Sequence, residues 1–335
     1  MTSKSSLSTD KPQPFLLRPT GKAYLWGGQR LNDEYVRNVD LNPLAETWEC
    51  STHPDGPSWV ASGAFAGRTL KDVLFEHSEL LGTHHAEKRD IPILIKFIDA
   101  KLDLSVQVHP DDAFARRYEN GAMGKNEMWY VLDAPREASI IYGFQRNVDE
   151  KTVRRALQQG ALESYLNRIP IHPNDVFYVP AGTVHGIGAG ALIAEIQENS
   201  NLTYRLYDYD RLDKDGKPRE LHVDKALKVV SYAGGAVPRQ PLRTLRYKPG
   251  LASELLVRCR SFEVSRLLVN TERCRTLIRC EADKTSFCVL LCTNGCGTLF
   301  TDDEALCFFK GDCIFVPARA SAKIHARAQF LHVLC

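Results

Sequence analysis

The features that would assign this chain to a membrane or to nucleic acid are missing from its sequence. No apolar run reaches the ~18 consecutive residues that a helix needs to span a bilayer. The 43 lysines and arginines nearly balance the 41 acidic residues, and the formal net charge is only +2. Such a small charge offers no strong electrostatic surface to a nucleic acid or an anionic membrane. We therefore expect neither as a partner.

The first residues also lack the apolar stretch of a signal peptide. The segment Met1 to Pro12 is rich in Ser, Thr, Lys and Pro, a composition typical of disorder. We predict a disordered tail over residues 1–14. The default expectation is a cytoplasmic protein, either a monomer or a homodimer.

Cysteine is scarce in the first three quarters of the chain, because nine of the ten cysteines lie at or after Cys259. No two cysteines are separated by two residues, the spacing typical of structural zinc. Cys288, Cys292 and Cys296 are spaced by four. We interpret them as small apolar residues buried in strands, with a zinc or redox role as the alternative.

What the sequence does contain is a strand-rich pattern with a few helices. Its 335 residues favour two domains. Apolar periodicity predicts helices over Thr69–Leu81, Asp149–Leu166 and Val223–Val230. Thr69 and Asp72 resemble a capping pair, and Gly160 weakens the second helix. Most of the remainder is short β-branched or aromatic runs broken by Gly, Pro, Asn and Asp, which favours a mainly β sandwich or barrel.

An internal similarity suggests two copies of one β unit. Asn174–Ala181 reads NDVFYVPA, and Gly311–Ala318 reads GDCIFVPA. Upstream of these, Met128–Ser139 aligns without gaps on Phe287–Thr298. The alternative is a coincidence between strand-rich segments. Because three prolines lie between Val237 and Pro249 and Gly250 follows them, we place the domain boundary there.

The segment Lys101–Pro110, KLDLSVQVHP, alternates strictly between apolar and polar residues. This pattern predicts a half-buried strand whose polar face carries Ser105, Gln107 and His109. An ordinary surface strand would show the same alternation. Gln107 and His109 stand at i and i+2, however, so the two side chains can share one metal ion.

Two more ligand types stand near predicted strand ends. Glu127 opens the apolar run Met128–Leu132, and His185 follows the Pro-Gly turn of Val179–Gly186. Taken singly, an exposed glutamate or a structural histidine would explain each of them. With the two residues of the preceding strand they form a set of two nitrogens and two oxygens. Such a set suits zinc, and also iron, manganese or nickel.

Six motifs follow one another in the order of a known family. They are Trp26-Gly27-Gly28, AETWECSTHPDGPS (Ala45–Ser58), LSVQVHPDD (Leu104–Asp112), KNEMWYVL (Lys125–Leu132), VPAGTVHGIG (Val179–Gly188) and NSNLTYRLYDYDR (Asn199–Arg211). Over roughly Phe15–Val230 the sequence resembles the type I mannose-6-phosphate isomerases of the shorter bacterial-like subgroup. Several long motifs in the right order are more specific than any single one.

The resemblance implies a mainly β fold of two cupin barrels (double-stranded β-helix, jelly-roll), with a few helices attached to the first. It implies a catalytic metal-binding cupin domain with helical insertions over residues 15–240, and a degenerate cupin domain over residues 241–335. It further implies one zinc ion per chain, and the interconversion of D-mannose 6-phosphate and D-fructose 6-phosphate through an enediol. The implied zinc ligands are Gln107, His109, Glu127 and His185.

The resemblance also implies roles for basic residues. Arg205 matches the family's active-site arginine, and Lys125 matches its substrate-binding lysine. We expect both as catalytic and substrate-binding residues, with Trp26 and Ser105 as further substrate contacts. The sequence does not separate a phosphate-binding role from one beside the reacting oxygens. Without the motif, Arg205 would be interpreted as a surface strand residue paired with Asp208 or Asp210.

The sequence differs from the family pattern at one position of the proposed site, and the C-terminal copy lacks the ligand types. Many relatives have an aspartate four residues before the arginine, where this chain has Asn201. If that aspartate transfers protons elsewhere, another group must serve here. In the C-terminal copy the alignment places Ser286 opposite Glu127 and Ala322 opposite His185, while His325 is off register. We therefore expect the C-terminal copy to bind no metal.

Two other functions remain as alternatives. One is another metal-dependent cupin enzyme such as a dioxygenase, which uses two or three histidines and a carboxylate around iron. The other is a non-catalytic sugar-phosphate sensor. Gln107, Lys125 and Arg205 favour a phosphorylated sugar without a redox step, and the intact ligand set argues against a sensor.

Overall fold

The computed structural model describes residues 11–213, 215–238, 244–302 and 304–335. Most of the predicted tail, residues 1–10, and the predicted boundary at residues 240 and 241 lie outside this part of the chain. Within it, no helix is long and apolar enough to cross a bilayer. The division into two domains stays a prediction.

The described residues form a chain of short strands interrupted by five α-helices. In chain order the strands are β1 (Phe15–Arg18), β2 (Thr20–Lys22), β3 (Glu46–Cys50), β4 (Trp59–Val60), β5 (Ile93–Asp99), β6 (Val106–Val108), β7 (Glu127–Asp133), β8 (Ser139–Phe144), β9 (Leu166–Pro170), β10 (Val176–Val179), β11 (His185–Ile187), β12 (Leu192–Glu198), β13 (Tyr204–Tyr207), β14 (Arg246–Lys248), β15 (Leu251–Arg258), β16 (Glu263–Asn270), β17 (Ile278–Glu281), β18 (Cys288–Phe300), β19 (Ala305–Phe309), β20 (Cys313–Val316) and β21 (Ser321–Leu334). The α-helices are α1 (Arg30–Tyr35), α2 (Leu70–Glu76), α3 (Asp112–Tyr118), α4 (Glu150–Gln158) and α5 (Val223–Val229). Short 3₁₀ helices cover Gly63–Phe65, Ser78–Leu81, Ala86–Lys88 and Leu162–Tyr165.

The named strands pair antiparallel in three sheets. A six-stranded sheet has the order β10-β7-β12-β5-β3-β2, and a five-stranded sheet has the order β13-β6-β11-β8-β9. The C-terminal sheet has ten strands. Eight of them follow the order β14-β15-β16-β21-β18-β20-β1-β4, while β17 pairs with β21 and β19 pairs with β18. The predicted mainly β fold with a few helices is confirmed, whereas the number of barrels stays a prediction.

Two helices begin where local chemistry predicts, but the first predicted helix, Thr69–Leu81, ends early: α2 stops at Glu76, and Ser78–Leu81 is a 3₁₀ helix. The Thr69 side chain caps α2 by accepting a hydrogen bond from the Asp72 N–H, which satisfies a backbone donor at the helix start. Asp149 caps α4 in the same way through the Thr152 N–H. The second predicted helix is split as Gly160 suggested, because this residue has φ +64° and the chain continues only as a 3₁₀ turn.

Four apolar clusters hold the three sheets and the helices together. One lies between the six- and five-stranded sheets and contains Trp129 and Ile140, and a second covers the outer face of the five-stranded sheet with α4 and α5. A third lies between the six-stranded and C-terminal sheets, and the fourth fills the C-terminal sheet. The six-stranded sheet is therefore buried on both faces, which explains why β5 is buried at every position.

The first strand of the chain belongs to the sheet formed by its last third. β1 pairs with β20, with Phe15 opposite Phe315, and β4 pairs with β1. The rings of Phe15 and Phe315 stack at a centroid distance of 5.2 Å. The sequence gives no sign of this pairing, because it joins residues 300 positions apart.

Candidate active site

The five-stranded sheet places three candidate residues side by side. Gln107 of β6 lies opposite His185 of β11 on one side and opposite Arg205 of β13 on the other. Directly opposed residues in an antiparallel pair point to the same face of the sheet. Three sequence motifs that are far apart in the chain therefore deliver their side chains to one place.

The predicted strand Lys101–Pro110 is shorter than its alternation indicates, because regular pairing covers only Val106–Val108. Before it, the chain bonds singly to other loops, with the Leu102 N–H donating to the Trp26 carbonyl and the Leu104 N–H to the Ile187 carbonyl. Leu102 is consequently 45% exposed instead of buried. The part of the segment that carries Gln107 and His109 is placed as predicted.

His109, Glu127 and His185 form a buried cluster whose ligand atoms all lie within 4.8 Å of one another. Each of the three is at most 1% exposed. The Nε2 atoms of the two histidines are 3.0 Å apart. The carboxylate of Glu127 lies 3.0 Å from Nε2 of His109 and 3.6 Å from Nε2 of His185. This spacing brings three metal-ligand atoms to one point.

The hydrogen bonds of the two rings fix which nitrogen carries the proton. Nδ1 of His109 lies 2.7 Å from the Leu202 carbonyl, and Nδ1 of His185 lies 2.8 Å from the Thr183 carbonyl. A carbonyl only accepts, so each Nδ1 must donate. Burial lowers the pKa of His109 to about 3 and also lowers the pKa of His185, so both rings are neutral. Both Nε2 lone pairs therefore face each other and a carboxylate.

This arrangement fits a metal ion, because a cation is attracted by several lone pairs that converge on one point. Metal-binding histidines usually donate their other ring N–H to a carbonyl or carboxylate, as both do here. Gln107 completes the set, with its side-chain nitrogen 3.4 Å from Nε2 of His185. Because the amide oxygen and nitrogen can exchange places by a flip, Gln107 can offer its oxygen as a ligand.

Lys125 lies inside this cluster. Its buried ammonium is 2.6 Å from the Glu127 carboxylate and 3.3 Å from Nε2 of His109. Burial alone would raise the pKa of Glu127, but the charge of Lys125 opposes it, and this pKa is held well below its usual value. The carboxylate is therefore ionised, as a metal ligand must be.

A cavity of about 270 Å³ lies next to the cluster. It is lined by Tyr24, Trp26, Glu46, Lys96, Ile98, Leu104, Ser105, Gln107, Lys125, Trp129, Ile187, Glu195, Asn201, Thr203, Arg205 and Arg219. The predicted substrate contacts Trp26, Ser105, Lys125 and Arg205 are thus brought together. The three cluster residues lie behind this wall, each in contact with Gln107, Lys125 or Trp129.

Sequence reasoning missed a buried ionic group in the same cavity. Lys96 of β5 and Glu195 of β12 lie directly opposite each other, with an ion pair at 3.4 Å, and Glu46 lies 3.7 Å from the same ammonium. Burial would lower the pKa of Lys96, but the two carboxylates outweigh it and raise this pKa. The sequence signal for this pair was a charged residue in the middle of an apolar run, Lys96 in ILIKFID and Glu195 in LIAEIQE.

Trp129 connects this ionic group to the metal cluster. Its indole N–H lies 3.1 Å from the Glu127 carboxylate and 2.9 Å from that of Glu195. Burial, followed by the charge of Glu127, raises the pKa of Glu195. The two carboxylates that share the Trp129 indole therefore have opposite pKa shifts, lowered for Glu127 behind the wall and raised for Glu195 in the cavity.

Arg205 reaches the cavity through the five-stranded sheet. The strand that precedes it, β12, lies in the six-stranded sheet and not beside the His185 segment. Arg205 reaches the site because β13 pairs with β6. Its Nη1 donates to the Glu220 carbonyl at 2.7 Å. Asp208, the partner considered for a surface arginine, pairs instead with Arg211 and Arg219.

Asn201, the departure from the family pattern, also lines the cavity. Its side-chain NH₂ donates to the Asp55 carboxylate at 2.8 Å. An amide neither gives nor takes a proton at neutral pH. At this position the chain therefore has a hydrogen-bonding group that does not titrate.

Strand pairing corrects the residue alignment in the C-terminal copy. Glu127 lies opposite Val179 of β10, and in the C-terminal sheet Val316 of β20 lies opposite Cys288. The counterpart of Glu127 is therefore Cys288 and not Ser286. The error arose because an ungapped alignment of two strand-rich segments does not fix the strand register.

The same comparison identifies two more counterparts. Gln107 lies opposite His185 in the five-stranded sheet, and Cys280 lies opposite Ala322 in the C-terminal sheet. Cys280 is therefore the counterpart of Gln107, and Ala322 is the counterpart of His185. Cys280, Cys288 and Ala322 belong to the apolar cluster of the C-terminal sheet. Among the described residues the only cluster of three or more metal-ligating His, Cys, Asp or Glu side chains is that of His109, Glu127 and His185. The C-terminal sheet thus has apolar packing where the five-stranded and six-stranded sheets have the cluster.

Comparisons with known proteins agree with this geometry. A sequence model of the family described as phosphomannose isomerase type I, catalytic domain, matches residues 15–137. The mannose-6-phosphate isomerase ManA of Bacillus subtilis is 36% identical over 308 residues, which cover 91% of this chain and 93% of that protein. The mannose-6-phosphate isomerase of Streptococcus mutans is 40% identical over 219 residues, covering 65% and 68%.

A solved structure shows the same fold over almost the whole chain. The crystal structure of the mannose 6-phosphate isomerase from Bacillus subtilis matches with a TM-score of 0.87 at 34% identity. The match covers 96% of this chain and 99% of the crystallised one. Sequence and fold thus agree over the region that builds the cavity, and the chain belongs to the type I family of mannose-6-phosphate isomerases.

Proposed function

We propose that this chain interconverts D-mannose 6-phosphate and D-fructose 6-phosphate with one zinc ion per chain. Its relatives carry the name of this activity. The observation that supports zinc here is the pair of Nε2 lone pairs at 3.0 Å beside an ionised carboxylate. A redox role for the site has no comparable support, because the cavity is also lined by two lysines and two arginines, basic residues suited to a phosphorylated sugar.

Gln107, His109, Glu127 and His185 would hold the ion. Bound there, zinc supplies Lewis-acid stabilisation of the oxygens on C1 and C2 as they gain negative charge. The chain provides the rest of the electrostatics. The Lys125 ammonium lies beside the ligand atoms, where a fixed positive charge favours the enediolate over the neutral sugar.

The proton that moves between C1 and C2 needs a titratable group that lines the cavity and is not a metal ligand. Asn201 cannot serve, because an amide does not titrate. Apart from Lys125, whose charge is assigned above, Lys96, Glu46 and Glu195 are lysine and glutamate lining residues that satisfy both conditions. Burial raises the pKa of Tyr24, another lining residue, to about 12, so its hydroxyl can donate a hydrogen bond but does not act as a base near neutrality.

The cavity walls orient the sugar and limit the entry of water. Trp26 is buried and stacks on Tyr24 at a centroid distance of 5.4 Å. The Ser105 hydroxyl lies 3.5 Å from the Gln107 side-chain oxygen. These groups provide an apolar face and a hydroxyl for the sugar ring.

A coupled assay for fructose 6-phosphate tests the proposal. Mannose 6-phosphate is supplied to the purified protein with and without a chelator, and zinc is then restored. We expect turnover that the chelator abolishes and zinc restores. Binding of mannose 6-phosphate without turnover would favour the sensor alternative. Oxygen consumption by an iron-loaded sample would favour the dioxygenase.

A further inference from the structure

Four basic residues line the cavity, together with the carboxylates of Glu46 and Glu195. Lys96 pairs with both of these carboxylates, and Lys125 pairs with Glu127, which leaves Arg205 and Arg219. Arg205 belongs to a family motif, whereas Arg219 lies eight residues beyond the last one.

Arg219 is held by a buried carboxylate. Its Nε donates to Oδ2 of Asp208 at 2.7 Å, and its Nη2 donates to Oδ1 of the same group. Asp208 is 5% exposed. This two-point pair fixes the plane of the guanidinium, and it leaves Nη1 outside the pair.

A short hairpin brings Arg219 back to Asp208. Leu212 bridges Pro218, and the Lys217 N–H donates to the Asp213 side chain at 2.9 Å. The next residue, Glu220, accepts the hydrogen bond from Arg205 with its carbonyl. The hairpin therefore positions both arginines at once, one through a carboxylate and one through a backbone oxygen.

The positive charge around Asp208 is not neutralised. Arg211 also donates to Asp208, so one carboxylate faces three guanidinium groups, those of Arg205, Arg211 and Arg219. Among the described residues, Nε of Arg205 has no hydrogen-bond partner although it is buried. The protein therefore satisfies the Arg205 guanidinium only in part, and an anion in the cavity that Arg205 and Arg219 line would offset the remaining positive charge.

The two arginines and the histidine–glutamate cluster differ in burial and in strand position. His109, Glu127 and His185 are at most 1% exposed, whereas the Arg219 side chain is 19% exposed. Arg205 is two strands away from His185 across β6, which separates their Cα atoms by roughly 10 Å. Lys125, by contrast, is in contact with the cluster itself.

We propose that Arg219, fixed by Asp208, binds the phosphate group of the substrate together with Arg205, and that Lys125 serves the reacting end of the sugar. This assignment rests on the function proposed above. It separates phosphate binding from a role beside the reacting oxygens, two roles that the sequence does not distinguish. Asp208 is a positioning residue, because it acts through the guanidinium that it holds.

The chemistry of the two ends supports this division. A phosphate presents several oxygens to planar N–H donors, and guanidinium groups match that geometry better than a single ammonium does. A hexose 6-phosphate carries its phosphate at the end of the chain opposite to C1 and C2. Fixing both ends with preorganised charges places the reacting carbons beside the metal ligands.

The test compares Arg219→Gln, Arg219→Lys and wild type as zinc-loaded proteins. The first readout is kcat/KM for mannose 6-phosphate relative to unphosphorylated mannose, and the second is competitive inhibition by inorganic phosphate. The matched control is Arg154→Gln, since Arg154 is also held by carboxylates, Glu150 and Asp224, but lies on the surface.

We expect the Arg219→Gln change to lower kcat/KM for mannose 6-phosphate about 10- to 100-fold, the loss typical of one charge-assisted hydrogen bond. The loss should appear mainly in KM and should be at least tenfold greater than the loss for mannose. The inhibition constant of phosphate should rise by a similar factor. Arg219→Lys should recover only part of the loss, and the control should stay within about twofold of wild type.

Three outcomes would overturn the assignment. They are equal losses on mannose and mannose 6-phosphate, unchanged phosphate inhibition in Arg219→Gln, or a wild-type protein that phosphate does not inhibit. A wild-type protein that turns over no mannose 6-phosphate would refute the proposed function instead. In that case phosphate binding, measured by calorimetry on wild type and Arg219→Gln, still decides whether the arginines form an anion site.

Discussion

Nε2 of His109 and Nε2 of His185 lie 3.0 Å apart with no proton between them, because each ring donates its other N–H to a backbone carbonyl. In the metal-free protein these lone pairs repel each other and the nearby carboxylate. A bound cation turns the same contacts into attractions. Metal binding should therefore stabilise the fold as well as enable the reaction.

The first prediction concerns metal content. His185→Ala should purify with less than about a tenth of the wild-type zinc, because it removes one of two imidazole ligands from a buried site. Wild type should contain one zinc per chain, measured by elemental analysis. His325→Ala is the control, since this residue bonds to Thr271 in the C-terminal sheet and should keep the zinc content unchanged. A zinc-free wild-type protein with full activity would contradict the metal site.

The second prediction concerns Arg205. Arg205→Ala should fold and retain zinc but lose roughly two or more orders of magnitude in kcat/KM, the loss typical of deleting one strong donor. Arg205→Lys should recover little, because an ammonium cannot reproduce both the bond to the Glu220 carbonyl and a second directed donor. Steady-state kinetics on zinc-loaded protein measures this. Near-normal turnover in the alanine variant would make Arg205 an ordinary strand residue.

The third prediction concerns acid stability through Asp208. Burial alone would raise the pKa of Asp208, but hydrogen bonds from Arg219 and Arg211 outweigh it and lower this pKa below its ordinary value. A carboxylate with a depressed folded pKa contributes stability above its unfolded pKa of about 3.9, and this stability is lost as the pH falls through the folded value.

Asp208→Asn should therefore lower the free energy of unfolding by about 1–3 kcal/mol near pH 6, between the values for exposed and buried pairs. The difference from wild type should shrink as the pH falls from 5 toward 3. Urea denaturation of both proteins over this range measures it, and effects common to both, such as zinc release, cancel. A difference that stays constant with pH would show that Asp208 is not ionised in the fold.

The fourth prediction concerns the glycine after Trp26. A Cβ on Gly27 would lie 2.5 Å from the Cβ and 2.6 Å from the Cα of Ala45. Gly27→Ala should therefore shift the backbone that carries Trp26 and destabilise the protein by about 1–3 kcal/mol, as overpacking does. Thermal unfolding measures the loss, and activity should fall as Trp26 moves. Gly67→Ala, where a Cβ meets nothing within 4 Å, should show only the strain of its positive φ.

The parts of the fold that depend on neighbouring residues could be predicted from the sequence. The start of α2 at Thr69 and the break at Gly160 are set within a few residues, so caps and a glycine suffice to locate them. The extent of β6 could not be predicted, because the chain before Val106 bonds to loops that contain Trp26 and Ile187. Alternation describes which face a residue prefers, not whether a partner strand is available.

The site residues likewise fall into two groups, those that the sequence identifies and those that only the structure identifies. Gln107, His109, Glu127 and His185 stand in motifs and could be named from the sequence. Lys96 and Glu195 could not be recognised as a pair without the register that places them opposite each other. Arg219 lies outside the motifs, and its position in the cavity depends on the hairpin that returns it to Asp208. These residues are placed by tertiary contacts that no local pattern encodes.

Because β1 pairs with β20, the C-terminal sheet cannot be completed until residues 313–316 have been synthesised. Phe15 leaves the ribosome early, yet its partner Phe315 emerges only after another 300 residues have been translated. Until then the apolar strand β1 has no edge to join, and β4, which pairs with it, has none either. A fragment that stops before residue 313 leaves both strands without the sheet that holds them, and one that begins after residue 60 leaves the β20 edge open. The two ends of this chain therefore have to be produced together for either sheet edge to be closed.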